Sequence, residues 1–119
     1  MPKAKQTLKP VYDRVPHVEF DLQGPVADYL SAVTQQWLLP APEANPAMLD
    51  IFRDRDRLPR RDKVAWAGEF AGKYVTCCVQ ILRLTADDSL RQRTASFVSE
   101  LVTLQDDDGY LGPWERDNR

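Results

Sequence analysis

The clearest pattern of polar and apolar positions lies between residues 64 and 84. Polar side chains recur there at steps of four and three, while the positions between them are mostly apolar or small; the polar set is Glu69, Lys73, Thr76, Gln80 and Arg83. In a helix of 3.6 residues per turn, this spacing places all of them on one face. We therefore predict a helix over residues 64–84 that is covered on most sides. Its single polar stripe faces either solvent or an internal cleft.

A second helix is predicted over residues 88–105. Its inner positions follow steps of four and three, and the set is Leu90, Thr94, Phe97, Leu101 and Leu104. The opposite side is broadly polar, so we expect a half-exposed helix. Asp87 and Asp88 supply the amino-terminal cap and a negative charge that suits the helix dipole. Gly109 is predicted to supply the left-handed residue that ends this helix. The two helices are predicted to form an antiparallel hairpin.

An earlier helix is predicted over residues 25–39, between Gly24-Pro25 and Pro40. Proline suits a first-turn position because its missing N–H is not needed there. The apolar residues predicted to form its stripe are Val26, Tyr29, Leu30, Val33 and Trp37. Before this helix, Val18, Phe20 and Leu22 alternate with acidic residues, which predicts a short extended strand over residues 18–22. No other segment has the pattern of a partner strand.

Two remaining segments have no clear periodicity. Residues 1–17 contain three prolines and are predicted to be extended or disordered. The connector between residues 40 and 62 is long for a compact domain. It includes the string RDRDRLPRR, whose charges alternate in sign. A solvated loop with local ion pairs is one interpretation of that string, and a phosphate or polyanion site is the alternative.

Composition limits the class of protein. The chain has 119 residues, of which 29% are charged and 43% hydrophobic, and this suits one domain. The predicted helices make its expected fold class all-α. A net charge of −2 argues against nucleic acid as a partner. No apolar run approaches the roughly 20 residues that span a bilayer, so we expect no membrane partner. The amino terminus has no apolar signal segment, and we therefore expect a cytoplasmic location.

The residues that commonly bind metals are poorly arranged for it. Cys77 and Cys78 are neighbours without a nearby histidine or acid, and we expect them to pack in the interior. The acidic run that ends at Asp108 lacks the ligand spacing of a calcium loop. His17, the only histidine, has no companion ligand. We expect no metal site and no cofactor on this chain.

Three strings carry a resemblance to a known family: WAGEFAGKY at 66–74, LTADDSL at 84–90 and LVTLQDDDGYLGPW at 101–114. Together they resemble the beta-L-arabinofuranosidase-like glycoside hydrolases, a family long catalogued as a domain of unknown function. The order of these segments is similar to that family over residues 18–114. The resemblance implies an (α/α)6 toroid followed by β-sandwich domains. Residues 18–119 would then be the amino-terminal portion of the toroid, and the chain would be a fragment of a larger enzyme.

The resemblance also implies a carbohydrate ligand. In an antiparallel hairpin, the loop after the second helix returns to the end where the first helix begins. We therefore expect aromatic stacking and hydroxyl hydrogen bonds at that end, from Trp66, Glu69, Lys73, Asp108, Gly109 and Tyr110. For Glu69, an ion pair with Lys73 one helical turn later is the alternative interpretation.

Glycoside hydrolysis normally needs an acid and a nucleophile or base on opposite sides of the bond. The resemblance implies that both, together with a zinc-held cysteine in the complete family enzyme, belong to later hairpins. We therefore assign no catalytic residue, and we expect the chain to be inactive without a carboxy-terminal part of the same enzyme. Two alternatives remain. One is a stand-alone helical interaction module, and the other is a terpene-cyclase-type toroid, whose Gln-x3-Gly-x-Trp repeat fits Gln105 and Gly109 but not Leu111.

Overall fold

The computed structural model describes residues 18–119, and all regular structure in that range is helical. The elements are α1 (Pro25–Val33), a π-helical turn (Thr34–Leu38), α2 (Ala41–Ala44), α3 (Ala47–Arg53), α4 (Glu69–Leu82), α5 (Asp88–Thr103) and a 3-10 turn (Arg116–Asn118). The all-α fold class is confirmed. Among these residues no helix is both long enough and apolar enough to cross a bilayer.

The short strand predicted at residues 18–22 is wrong, since residues 18–119 contain no strand. A single extended segment has no ladder to join when no second strand is present to accept its backbone hydrogen bonds. The segment lies beside α1 and the turn between α4 and α5 instead, where Phe20 and Leu22 share a small cavity with Leu30 and Leu84. The prediction for residues 1–17, including His17, lies outside the described residues.

The central hairpin consists of α4 and α5. Helix α4 begins at Glu69 rather than at residue 64, because Gly68 has a φ of 88° and a left-handed residue cannot continue an α-helix. Helix α5 has the predicted cap, with the Leu90 N–H donating to Asp87 Oδ1 at 2.8 Å. The two helices pack against each other in antiparallel directions, so the loop after α5 returns toward Gly68.

The core joins this hairpin to the π-helical turn. The rings of Tyr74 and Phe97 meet edge to face, with centroids 4.7 Å apart. The Tyr74 hydroxyl donates to the Leu38 carbonyl oxygen at 3.0 Å. Cys78 and Leu90 are fully buried beside them. The predicted inner stripe of α5 thus contributes to the core.

The structure divides the helix predicted over residues 25–39 into α1 and the π-helical turn, and together these present a different face to the core from the one predicted. The buried residues are Leu30, Thr34 and Leu38, at steps of four. Tyr29 and Trp37 are 69% and 66% exposed. The reason is that this helix is apolar on two faces, and the core covers only one. The prediction of a single covered stripe was wrong for Tyr29 and Trp37, and also for Val26, which is 59% exposed.

The connector between residues 40 and 62 contains α2 and α3. Helix α3 inserts Met48, Leu49 and Phe52 into the core, so the connector packs against this chain. Most of its charged string lies outside the core, and Asp54 pairs with both Arg57 and Arg61. These pairs support the interpretation of a solvated loop with local ion pairs.

Candidate functional site

The loop after α5 meets the amino-terminal end of α4, as the hairpin geometry predicts. The contact is close: a Cβ added to Gly68 would lie 3.1 Å from Pro113 Cδ and 3.2 Å from Phe52 Cζ. Beside this contact is a cleft of about 340 Å³, which we call the small-residue cleft. Its lining includes Ala67, Gly68, Gly72, Leu111, Gly112 and Pro113. Two of the three segments that carry the family resemblance, residues 66–74 and 101–114, therefore meet at one end of the hairpin.

The loop itself is held by its own hydrogen bonds. The Asp106 N–H donates to the Tyr110 carbonyl oxygen at 2.9 Å. The Tyr110 N–H donates to Asp108 Oδ1, also at 2.9 Å. Gly109 has a φ of 87°, which closes the turn between them. The prediction that Gly109 ends α5 was wrong, because the helix ends at Thr103 with Leu104 as its cap. At the end of the loop, the Trp114 N–H donates to the Tyr110 hydroxyl at 3.3 Å. The spacing of the Asp-Gly-Tyr-Leu-Gly-Pro-Trp string is thus explained by turn geometry.

Two neighbours fix the Tyr110 ring. A Cβ on Gly112 would lie 2.2 Å from the Tyr110 hydroxyl oxygen, so the ring occupies the space that only glycine leaves free. The guanidinium carbon of Arg119 lies 4.1 Å from the ring centroid, in cation–π geometry. Arg119 also donates to Asp106 Oδ2 at 2.6 Å and to Asp108 Oδ2 at 2.8 Å. The hydrogen bond from Arg119 lowers the pKa of Asp106 to about 2.

At the start of α4 the predicted residues are exposed. Glu69 and Lys73 form an ion pair, with Oε1 and Nζ 3.1 Å apart and side chains 49% and 62% exposed. The structure thus contains the ion pair between Glu69 and Lys73, one helical turn apart, that was the alternative interpretation for Glu69. Trp66 is 59% exposed and presents a free indole surface. The polar stripe of α4 lies on the exposed surface of the described chain.

A larger groove lies between the π-helical turn, α2, α3 and α4. Its volume is about 570 Å³, and its lining is mostly apolar, with Trp37, Met48, Phe70, Tyr74 and Cys77 among its residues. Lys73 lies at this groove and is the predicted site residue that lines it. Phe70 is 58% exposed, so the groove offers a broad aromatic surface.

The predicted site residues thus form two sets. Trp66 lies just before α4, where its carbonyl oxygen accepts the Glu69 N–H at 3.1 Å, and Glu69 pairs with Lys73. Asp108, Gly109 and Tyr110 belong to one turn. Across residues 18–119 no hydrogen bond or ion pair joins the two sets, and their part in sugar binding stays a prediction. The sequence analysis missed Arg119 as the partner of Tyr110, because the contact has no periodic or motif signal.

The cysteines lie apart from any cluster of ligands. Cys78 is fully buried, and burial raises the pKa of its thiol. Cys77 is exposed. Residues 18–119 contain no group of three or more histidine, cysteine, aspartate or glutamate side chains placed to hold a metal ion. The described residues therefore do not offer the ligand set of a zinc site.

Comparison with known proteins gives one family. A family model described as the beta-L-arabinofuranosidase, GH127 catalytic domain, matches residues 23–119. No curated protein and no solved structure gives a significant match. The matched range includes α4, α5, the loop after α5 and both sets of predicted site residues.

Proposed function

The chain belongs to the beta-L-arabinofuranosidase family, GH127, and we propose that it builds the first helices and one wall of the substrate cleft in a glycoside hydrolase catalytic domain. The observation that supports this most is the contact between Gly68 and Pro113. It brings residues 66–74 and 101–114, the two segments with the strongest family resemblance, to the same end of the hairpin. The family assignment favours this function over the terpene-cyclase alternative.

The exposed groups at this end suit a sugar. Trp66 offers a flat apolar surface on which the C–H groups of a furanose ring can stack. Glu69 offers an acceptor and Lys73 a donor for hydroxyl groups. Their exposed ion pair contributes only about 0.3–0.5 kcal/mol, whereas a hydrogen bond to a charged group contributes about 1.5–3 kcal/mol. Separating the Glu69–Lys73 ion pair therefore costs little of the free energy gained when a sugar binds.

The remaining parts of the active site come, in this proposal, from further helical hairpins of the same catalytic domain. The acid, the nucleophile and any zinc belong to those hairpins. Exposed apolar residues support this assignment: Trp37, Phe70 and Val79 are 66%, 58% and 42% exposed on α4 and the π-helical turn. Apolar surface of this kind is usually covered by another protein segment. A stand-alone interaction module is also compatible with such a surface. Glycosidase activity of the complete domain distinguishes the hydrolase from the interaction module.

The decisive experiment is Glu69→Gln in the catalytic domain that contains this chain. We expect kcat/KM for an aryl β-L-arabinofuranoside to fall by about 10- to 150-fold, the equivalent of losing a hydrogen bond worth about 1.5–3 kcal/mol. The matched control is Glu100→Gln, because Glu100 is 50% exposed and also pairs with a cation, Arg53, but lies on α5. An unchanged kcat/KM in Glu69→Gln would remove Glu69 from the site.

A second test uses the 119-residue chain alone. We expect it to hydrolyse the same glycoside no faster than buffer, since the proposal places its acid and nucleophile elsewhere. Turnover by this chain that disappears in Glu69→Gln would contradict the proposal and place catalysis on the hairpin itself.

A further inference from the structure

Arg55 departs from the other charged residues of its segment. It follows α3 within the string RDRDRLPRR, yet it is only 8% exposed. Its Nη1 donates to the Gly112 carbonyl oxygen at 3.0 Å, and its Nη2 donates to the Leu104 carbonyl oxygen. By contrast, the Arg57 side chain is 74% exposed, and among residues 18–119 its one ion pair is with Asp54. Arg55 therefore joins α3 to a distant part of the chain.

The two carbonyl groups mark the two ends of the loop after α5. Leu104 is the carboxy-terminal cap of α5, where carbonyl groups have no partner within the helix. Gly112 supports the Tyr110 ring and precedes Pro113, which contacts Gly68. The guanidinium carbon of Arg55 is also 6.0 Å from the Tyr110 ring centroid. One side chain thus bonds to the carbonyl where the loop leaves α5 and to the carbonyl just before the residue that reaches α4.

We propose that Arg55 is a positioning residue that holds the loop between Leu104 and Gly112 against the start of α4. In this way Arg55 sets the affinity of the proposed substrate cleft for its sugar without contacting the sugar. This inference rests on the proposed function of the cleft. A guanidinium suits the role because its planar fork directs several N–H groups at once. A lysine ammonium is a compact charge and cannot reproduce that two-point geometry.

The loop's own hydrogen bonds do not replace this contact. The bonds between Asp106, Asp108 and Tyr110 close a local turn, and they leave the orientation of that turn relative to α4 undetermined. Arg119 binds Asp106 and Asp108 from within the same segment of chain. Arg55, which follows α3, ties the loop to the rest of the core. Loss of Arg55 should therefore release the loop as a unit, while the helices stay folded.

The experiment compares Arg55→Lys with Arg57→Lys in the complete catalytic domain. We expect Arg55→Lys to speed amide hydrogen exchange in residues 104–112 by about tenfold and to raise KM for an aryl β-L-arabinofuranoside by about tenfold, with kcat changed less than about twofold. A purely structural role would lower the amount of folded enzyme and leave KM unchanged. Arg57→Lys should alter neither exchange nor KM.

A second measurement keeps the inference testable if Arg55→Lys folds poorly. In the unaltered domain, the amides of Asp106 and Tyr110 should exchange as slowly as those in the last turn of α5, because the loop is fixed at both ends. Fast exchange at these two amides would overturn the inference.

The outcomes separate this inference from the proposed function. Unchanged loop exchange in Arg55→Lys overturns the positioning role, even if Glu69→Gln still lowers kcat/KM. A loosened loop with unchanged KM also overturns it, because loop order would then not affect binding. If neither Arg55→Lys nor Glu69→Gln affects kinetics, the cleft is elsewhere and the proposed function fails.

Discussion

Replacing each of two glycines in the WAGEFAGKY string with alanine tests how α4 is placed against the loop. Gly68 precedes α4 with a φ of 88°, and its Cβ would lie 3.1 Å from Pro113 and 3.2 Å from Phe52. Gly72 is helical, and an added Cβ would have no atom within 4 Å. The two glycines are one helical turn apart, so they make a matched pair with opposite expectations.

The magnitudes follow from those geometries. A left-handed conformation costs an L-residue about 1–2 kcal/mol, and forcing a methyl into a packed contact adds about 1–2 kcal/mol. We therefore expect Gly68→Ala to lower the free energy of unfolding by about 2–4 kcal/mol. Gly72→Ala should raise it by about 0.5–1 kcal/mol, because alanine loses less backbone entropy in a helix than glycine does.

The assay is a urea titration of each variant of the 119-residue chain, followed by far-ultraviolet circular dichroism. The expected result is a lower urea midpoint for Gly68→Ala and a higher one for Gly72→Ala. Equal shifts in the same direction would refute the reasoning, because they would show that Gly68 is neither left-handed nor packed against Pro113. In the complete catalytic domain, Gly72→Ala should instead raise KM, since its methyl would enter the small-residue cleft.

Three further predictions concern stability and surface. The hydrogen bond from Lys63 lowers the pKa of Glu115 to about 2, so on acidification the Glu115 carboxylate is protonated in the unfolded chain before it is protonated in the folded one. The stabilisation from this carboxylate is therefore present above pH 4.5 and is lost toward pH 2. The urea midpoints of the unaltered chain and of Glu115→Gln should converge as the pH falls to 2. Parallel midpoints across that range would contradict it. Tyr74→Phe should cost about 1–3 kcal/mol in urea unfolding, because it leaves the buried Leu38 carbonyl without its donor; a change within about 0.5 kcal/mol would mean that water replaces it. The 119-residue chain should bind a dye specific for apolar surface, and Trp37→Ser should weaken that binding; a sharp melt without dye binding would favour a self-contained module.

The sequence predicted best those elements whose apolar positions recur on one face only. The stripe of α5 from Leu90 to Phe97 has a single apolar side, so its burial follows from the spacing alone. Helix α1 has two apolar sides, and local spacing does not say whether Tyr29 or Leu30 faces the core. Helix α3 has only seven residues, so the helical spacing of its apolar positions cannot be recognised within a charged connector. Its burial depends on contacts with α4 that lie far along the chain.

The candidate site shows the same division. The ion pair between Glu69 and Lys73 follows from their separation of four residues, and the left-handed Gly109 follows from turn chemistry. The buried Arg55 and the stacking of Arg119 on Tyr110 do not follow, because their partners are backbone carbonyls or rings set by tertiary contacts. An arginine in a charged string has the same local pattern whether it is solvated or buried.

Hydrogen exchange in the presence of a sugar tests the central claim most directly. L-arabinose, the sugar that the description of the matched family names, would be added to the catalytic domain proposed to contain this chain, and amide exchange would be compared with and without it. We predict slower exchange in residues 66–74 and 104–114 together, with no change in residues 91–100 on α5. Protection confined to other parts of the domain would contradict the claim that these two segments form one wall of the substrate cleft.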